Sequence, residues 1–395
     1  MHERLVITGA ARTPIGDFLG AFSDTPAVEL GARAIKGALS RSSSLPSADI
    51  DDVFMGCVLP AGAGQAPARQ AALGAGLPET TPCVTVNKVC GSGMKALIMA
   101  SESLRAGSAN AVVAGGMESM SLAPHLLPKS RRGIRFGGAE LLDHMAYDGL
   151  TDAYPPHPAM GVFADACAGE RQISRQSQDD YAERSVTLSQ QAIRNGAFED
   201  EIETVPIETR NGLKTISDDE KPGRVNPERI PQLKPAFVKD GSVTAGNASA
   251  ISDGAAALVV TTITKAEAVG AAPMAEIVGW TGVAGRPADF PTAPIGAIDR
   301  LLEKVGWTIS DVDLFEVNEA FAVVALATQM ALKIPQEKMN IRGGAIAMGH
   351  PIGASGARII VTLIHALRAT GGRRGVASVC IGGGEATAVA VEIPG

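Results

Sequence analysis

Apolar residues in this chain gather in short runs separated by longer stretches of helical spacing, and the whole series occurs twice. In the first half, residues 4–8, 51–59, 83–89 and 111–115 read as strands, with helices over 27–39, 66–75 and 93–106 between them. In the second half, 274–280, 312–317 and 339–341 read as strands, with helices over 294–305, 319–332 and 355–369. A hairpin-like pair, 375–380 and 386–393, closes the chain. Strands alternating with helices imply an α/β fold with a largely parallel sheet. An internal duplication is also expected. DIDDVFMG at 49–56 resembles DVDLFEVN at 311–318, and each is followed by a helix and a turn opened by an asparagine, Asn87 or Asn340.

Between the halves the text changes character. Residues 121–250 are rich in proline, glycine and charge, with one clear helical pattern over 174–195 whose opening SRQSQDD carries an N-cap signal. So long an irregular stretch usually serves as a lid or a ligand-binding insertion. The expected organisation is residues 1–120 as one half, completed by 251–272, residues 121–250 as an inserted loop domain, and 273–395 as the other half.

Composition narrows the function classes. At 395 residues the chain exceeds one ordinary core. Its 35 Lys and Arg against 42 Asp and Glu, with no basic tail, disfavour a general nucleic-acid binder, so an anionic ligand must meet a local basic patch. The charge-free helical run 320–332 is too short to span a bilayer. The opening MHERLVITGAARTP has neither an apolar signal core nor an Arg/Ser-rich presequence. No membrane partner is expected, and the cytoplasm is the expected location, although a mature organellar chain would read the same. Five cysteines, at 57, 83, 90, 167 and 380, form no CxxC pair, so neither a disulfide framework nor a metal site is expected.

Four positions could carry chemistry. Cys90, in VNKVCGSGMKA, ends a strand pattern and opens a helix, where free backbone N–H groups and the helix dipole stabilise a thiolate and can donate to an oxyanion. A small buried thiol is the alternative for any single cysteine. GSGMKA also fits a dinucleotide turn, but it lies far from the first strand, and Glu118 is the nearest candidate for a ribose-binding acid. His350 sits in GGAIAMGHPIGASG, an uncharged Gly-rich loop that runs into a helix and lacks the G-K-[ST] of a phosphate loop. Cys380 precedes three glycines at a strand end. Asn318, in NEAFA, stands between a strand and a helix, where capping alone would account for it.

NKVCGSGMKA, GGMESMS, TAGNASAISDGAAA, NEAFA, GGAIAMGHPIGASGAR and CIGGG follow one another along essentially the whole chain, and together they resemble the thiolase family, in particular its acetyl-CoA acetyltransferases. The resemblance implies a five-layered α/β/α/β/α fold of two similar halves with an insertion that binds coenzyme A. It implies reversible Claisen condensation of acyl-CoA, or thiolytic cleavage of 3-oxoacyl-CoA, through an acyl-cysteine. By the same resemblance Cys90 is the nucleophile, His350 the base that activates it, and Cys380 the acid and base of the second half-reaction. Asn318 holds a water that forms one oxyanion hole with His350, and the backbone N–H groups of Cys90 and Gly382 form the other. Met160, Arg224 and Ser249 fall to coenzyme A, Arg224 near the adenine and Ser249 near the pantetheine arm. Small CoA thioesters are the implied partners, with no tightly bound cofactor, in a homotetramer or homodimer. The basic cluster Lys129, Arg131, Arg132 and Arg135 reads equally as a patch for CoA phosphates, a subunit contact or a solvated face.

This chemistry explains the residue types. An acyl group must be parked while one CoA leaves and another enters, which suits a thiolate able both to attack and to depart. A proton must then be moved at the carbon beside a thioester, which requires a second base and donors for the enolate oxygen. Three positions depart from the family pattern. Ala159 stands in Ala-Met-Gly where short-chain members usually have His-Met-Gly, with His157 two positions early; Ala250 replaces a common glycine; and Glu385 follows CIGGG where Gln or Gly is common. The first predicts tolerance of chains longer than acetoacetyl, that is, a thiolase of broader chain length. A ketoacyl synthase is disfavoured by the GHP loop paired with a second cysteine. A non-catalytic acyl-CoA or lipid carrier on the same scaffold would carry a degraded site.

Overall fold

A computed structural model describes residues 3–210 and 212–395; Met1 and His2, the start of the segment read above for a presequence, and Asn211 lie outside the described residues. Among the described residues, nine strands stand side by side: β1 (Leu5–Arg12), β2 (Asp52–Gly56), β3 (Cys83–Val86), β4 (Ala111–Ser119), β5 (Ser252–Thr262), β6 (Ala275–Ala284), β7 (Leu314–Val317), β8 (Arg374–Ile381) and β9 (Glu385–Glu392), with a two-residue strand, Gly16–Asp17, paired to the start of β5. Their order is β3-β2-β4-β5-β1-β6-β9-β8-β7. Outward from the central β1/β6 pair, each side has the same plan. β1-β5-β4-β2-β3 on one side matches β6-β9-β8-β7 on the other, where an isolated bridge from Phe315 to Met339 stands in the place of β3.

The duplicated segments also make the same bonds. One Asp51 carboxylate oxygen accepts the backbone N–H groups of Asn110 and Ala111 at 2.6 and 3.2 Å, and one Asp313 oxygen accepts those of Arg373 and Arg374 at 2.8 and 2.9 Å. An aspartate at the same place in each half thus starts the strand that enters the sheet beside it.

The expectation of a largely parallel sheet is corrected. Only β2–β3, β2–β4 and β7–β8 run parallel. The pairs β1–β5, β1–β6, β4–β5, β6–β9 and β8–β9 are antiparallel. A helical crossover returns the chain parallel, whereas β9 returns through a tight glycine turn and the two halves abut along β1 and β6.

Eight main helices flank the strands: α1 (Ala27–Arg41), α2 (Pro67–Gly74), α3 (Ser92–Arg105), α4 (Met160–Glu170), α5 (Arg175–Arg194), α6 (Ala293–Val305), α7 (Ala322–Leu332) and α8 (Ser355–Thr370). Period-two alternation divides each strand between two cores. In β4, Val112 and Ala114 join a core with α3 and α8, while Ala111, Val113 and Met117 join one with α1 and α2. In β9, Val389 and Val391 face α3 and α8, while Ala386, Ala388 and Ala390 face α6 and α7. The result is helix, sheet, helix, sheet, helix, the layering expected above. α8 is apolar on nearly every face and is buried from Ser355 through Leu367, as the central layer requires.

The central helices meet at small residues. A Cβ on Gly356 would lie 2.5 Å from the Met94 nitrogen, and one on Gly93 would lie 2.8 Å from the Ala357 nitrogen. Glycine therefore permits an approach that brings the loops preceding α3 and α8 together. Those loops carry Cys90 and His350.

Some boundaries differ from expectation for local reasons. The strand expected to reach 89 stops at Val86, and Val89 takes a left-handed φ of 45°. The helix expected from 319 starts at Ala322 because Phe321 is extended and bridges Ala248, with the Ser249 N–H donating to the Ala320 carbonyl at 3.0 Å and the Ala322 N–H to the Asn247 carbonyl at 2.8 Å. Residues 121–250 hold α4 as well as α5; MGVFADACAGE is apolar on most faces and offers no amphipathic period to read. Among the described residues, no helix is long and apolar enough to cross a membrane.

Candidate active site

Cys90 lies in a hydrogen-bonded turn just before α3. Asn87 Oδ1 accepts the Val89 N–H at 3.0 Å, and Ser92 Oγ accepts the Lys88 N–H at 2.8 Å while donating to the Val89 carbonyl at 2.6 Å. These bonds hold the left-handed Val89 and present the half-buried Cys90 at the helix N-terminus. Burial pushes the Cys90 thiol up to about 11, against donation from the backbone N–H groups of Gly382 and of Cys90 itself. The two donors thus reach one sulfur from opposite halves of the chain.

Cys380, on β8, is buried with Ala248 and Phe321, and Met160 packs against them. Burial, and then the charge that Cys90 would carry as a thiolate, hold its thiol well above the ordinary range. The two sulfurs therefore share one electrostatic environment, and ionising one opposes ionising the other.

His350 is fixed at three points. Its N–H donates to the Ala250 carbonyl at 2.9 Å, so alanine at that departure position still supplies the anchoring carbonyl. Nδ1 is 2.6 Å from Ser355 Oγ, and that hydroxyl donates to the Pro351 carbonyl at 3.0 Å. With its single hydrogen so committed, Ser355 accepts from Nδ1–H, which leaves the lone pair on Nε2, 3.4 Å from Asn318 Nδ2. Burial, and then the Arg358 charge, push the imidazole down to about 3, so it stands neutral with Nε2 able to accept a proton. Among the described residues the buried Asn318 Oδ1 has no hydrogen-bond partner, which suits an oxygen that holds a water in the site.

Two expectations follow. Ser355→Ala would leave the buried Nδ1–H unsatisfied and favour the other tautomer, so kcat should fall by a factor equivalent to roughly 1–3 kcal/mol with KM little changed. If His350 Nε2 takes a proton in the reaction, prior protonation blocks it, so the acid limb of kcat/KM assigned to this group should lie near 3 and not near the 6.5 of an ordinary imidazole. A pH profile showing a loss centred between 6 and 7 that tracks His350 would contradict this.

Two buried carboxylates frame the site. Glu118 accepts the backbone N–H groups of Val58, Leu59 and Gly353 at 3.0, 3.1 and 2.8 Å, tying the exit of β2 to the loop just after His350. Burial raises it to about 7. With its acceptors so occupied, it is no ribose ligand, and the dinucleotide reading fails. Glu319 accepts from Tyr181, Ser185, Asn340 and the Ile346 N–H, locking NEAFA to the loop that leads into His350. Glu385 forms an ion pair with Lys88, so the carboxylate beside CIGGG is neutralised across the two halves.

A cavity of about 490 Å³ opens onto His350, lined among others by Leu150, Met160, Lys221, Phe237, Ser249 and Phe321. Met160 also packs over Gly382. The structure therefore brings together Cys90, Gly382, Cys380, His350, Asn318, Met160 and Ser249. Arg224 stays outside the lining, exposed and paired with Glu220 at 2.5 Å and more loosely with Asp17 at 3.9 Å, itself a lining residue. His157 turns its Nδ1 to the Asp152 carbonyl at 3.1 Å and does not line the cavity, so it does not replace the histidine absent at Ala159. Among the described residues no group of acidic, histidine and cysteine side chains could hold a metal ion.

Residues 5–264 match the family profile described as Thiolase, N-terminal domain, and residues 271–393 match Thiolase, C-terminal domain. The chain belongs to the thiolase family. Among relatives of this thiolase, the acetyl-CoA acetyltransferase of Schizosaccharomyces pombe is 46% identical over 99% of both chains. Acetyl-CoA acetyltransferase 2 of Arabidopsis thaliana is 49% identical over 98% of this thiolase and 96% of its own length. The crystal structure of the Bacillus anthracis acetyl-CoA acetyltransferase superposes with a TM-score of 0.96 at 40% identity, covering 100% of this chain and 99% of that one.

Ser355, Asn340 and Lys221 also hold or border the site, and no motif in the sequence marks them as such. Ser355 could have been found from its position five residues after His350 at a helix start. The others depend on contacts between segments more than twenty residues apart, for which no local pattern exists.

Proposed function

We propose that this thiolase is an acetyl-CoA C-acetyltransferase that joins two acetyl-CoA molecules or splits acetoacetyl-CoA through an acyl group on Cys90. The observation that carries this reading is the Cys90 sulfur held by backbone donors from both halves, in the same site as a neutral imidazole and a second buried thiol.

The proton path follows from those states. Cys90 gives its proton to His350 Nε2 as the sulfur attacks the thioester carbonyl, whose oxygen takes charge against the N–H groups of Cys90 and Gly382. The carbon–sulfur bond to CoA breaks, and CoA leaves with the proton of Cys380. Cys90 is now an uncharged thioester, so the charge that opposed ionising Cys380 is gone. The Cys380 thiolate removes a proton from the methyl of a second acetyl-CoA, and the enolate oxygen rests on His350 Nε2–H and a water held by Asn318. The enolate carbon attacks the acyl carbon, and the departing Cys90 thiolate recovers its proton from His350. Each oxyanion donor is worth roughly 3 kcal/mol in such a step.

Met160 and Ser249 line the channel for the pantetheine arm, and Arg224 lies at its rim toward the adenine. Residues 121–250 form the CoA-binding insertion between two thiolase halves, in a cytoplasmic homotetramer. Ile134, Phe136 and Leu141 stand exposed beside Arg131 and Arg132 on that insertion, a patch suited to a subunit contact.

Incubation with acetoacetyl-CoA and free CoA should consume the enolate absorbance and yield acetyl-CoA. CoA binding without turnover would overturn the reading in favour of a carrier. With alanine at 159, kcat/KM along a series of 3-oxoacyl-CoAs should fall by less than about tenfold per added methylene, the discrimination a closed apolar pocket imposes. Steeper rejection would remove the role given to Ala159.

A further inference from the structure

Lys221 is not used by the chemistry described above. It comes from the insertion, yet its Nζ is turned inward and donates to the Ile346 carbonyl at 2.7 Å. It lines the cavity that opens onto His350 and is the one amine among the described residues that do so. The other ionisable side chains of that lining are Asp17 and His350, and Glu319 lies behind them. Burial pulls the ammonium down to about 8, while Asp17 and Glu319 hold it up. An exposed lysine near 10.4 has under about 1% free amine at pH 8, so Lys221 presents far more of the nucleophilic form. A neutral amine keeps an N–H for Ile346 and still has a lone pair to offer.

From this placement we propose that Lys221 is an acylation site, whose amine takes the acyl group of a CoA thioester bound in the cavity and thereby slows the enzyme. The inference rests on reading that cavity as the thioester site. In the step, the lysine nitrogen attacks the thioester carbonyl carbon, the carbon–sulfur bond breaks, and CoA departs as the thiol with the proton lost by nitrogen. The products are an amide and free CoA, and no further reactant is needed. The amide cannot become charged, and its acyl group occupies cavity volume. Ile346 lies in the short helix Ala345–Met348 that leads directly into His350, so a disturbed Lys221–Ile346 contact is transmitted to the base. Modification would accumulate when thioester is abundant and free CoA scarce, the condition in which cleavage has least need of the enzyme.

The test is incubation of the full chain with acetyl-CoA at pH 8 without free CoA, with peptide mass mapping and residual thiolysis measured over time. Acetylation at Lys221 should run at least about tenfold faster than at the exposed Lys36 and Lys129, and activity should fall in step with it. Adding desulfo-CoA, which occupies the channel without an acyl group, should slow modification of Lys221 but not of Lys36. Lys221→Arg, which keeps a donor for Ile346 but cannot be acylated in this way, should retain its starting activity through the incubation. Lys221 modified no faster than Lys36, in a protein that cleaves acetoacetyl-CoA, would overturn the inference and leave the proposed function intact. Failure of that cleavage, with Cys90 unacylated, would instead defeat the function on which it rests.

Discussion

Cys90→Ser is expected to lower thiolysis of acetoacetyl-CoA by about a thousandfold or more, equivalent to roughly 4 kcal/mol of barrier, with little change in CoA affinity. Two physical differences combine. A hydroxyl gives up its proton far less readily than a thiol, and His350, pushed down to about 3, is a weak base that can accept one only as the nucleophile attacks. The resulting ester is also a poorer acyl donor than a thioester, so the second half-reaction slows as well. The turn at 87–92 is held by Asn87, Ser92 and backbone groups, none of them the Cys90 sulfur, so the variant should fold and bind. A variant with more than a tenth of the original rate would mean that the acyl group is carried elsewhere.

Cys380→Ala should separate the two halves of the reaction. Acetyl-CoA should still acylate Cys90 and release CoA, because the nucleophile, its base and the Cys90/Gly382 donors remain. Removal of the methyl proton should fall by about 10²–10⁴-fold, the usual contribution of a positioned base, and condensation should fall with it. The readout is a burst of CoA without exchange of the acetyl-CoA methyl hydrogens into deuterated water. Cys380 is buried, so some loss of stability accompanies the change, but a stability defect would lower burst and exchange together. Loss of the burst with exchange preserved would reverse the roles given to the two sulfurs.

Much of the fold was legible because the chain states it twice. The DIDDVFMG and DVDLFEVN segments pointed to a duplication, and the matching bonds of Asp51 and Asp313 show its physical content. Strand direction was not legible. Whether β5 and β9 return parallel or antiparallel depends on the connections before them and on the joint between β1 and β6, and hydrophobic spacing encodes neither. α4 was missed because a helix buried on most sides shows no amphipathic period.

Within the site, the residues given chemical roles under the proposed function stand out in the sequence because each sits at a strand–helix junction or in a glycine loop, where sequence is unusual. The residues that hold them do not. Glu118 looks like an isolated acid at a strand end, yet its acceptors join Val58 and Leu59 to Gly353, some three hundred residues away along the chain. Glu385 departs from the family pattern beside CIGGG, and its partner Lys88 lies almost three hundred residues earlier in the chain, beyond any local pattern.

Under the proposed function one sulfur of five, that of Cys90, carries the acyl group between two CoA molecules. Rapid acid quench after mixing with acetyl-CoA alone, followed by peptide mass mapping of all five cysteines, tests it directly. One acetyl group is expected, on Cys90, formed as CoA is released, and none on Cys57, Cys83, Cys167 or Cys380. An acetyl group on another cysteine, or CoA released only when a second substrate is present with no covalent intermediate formed, would contradict it.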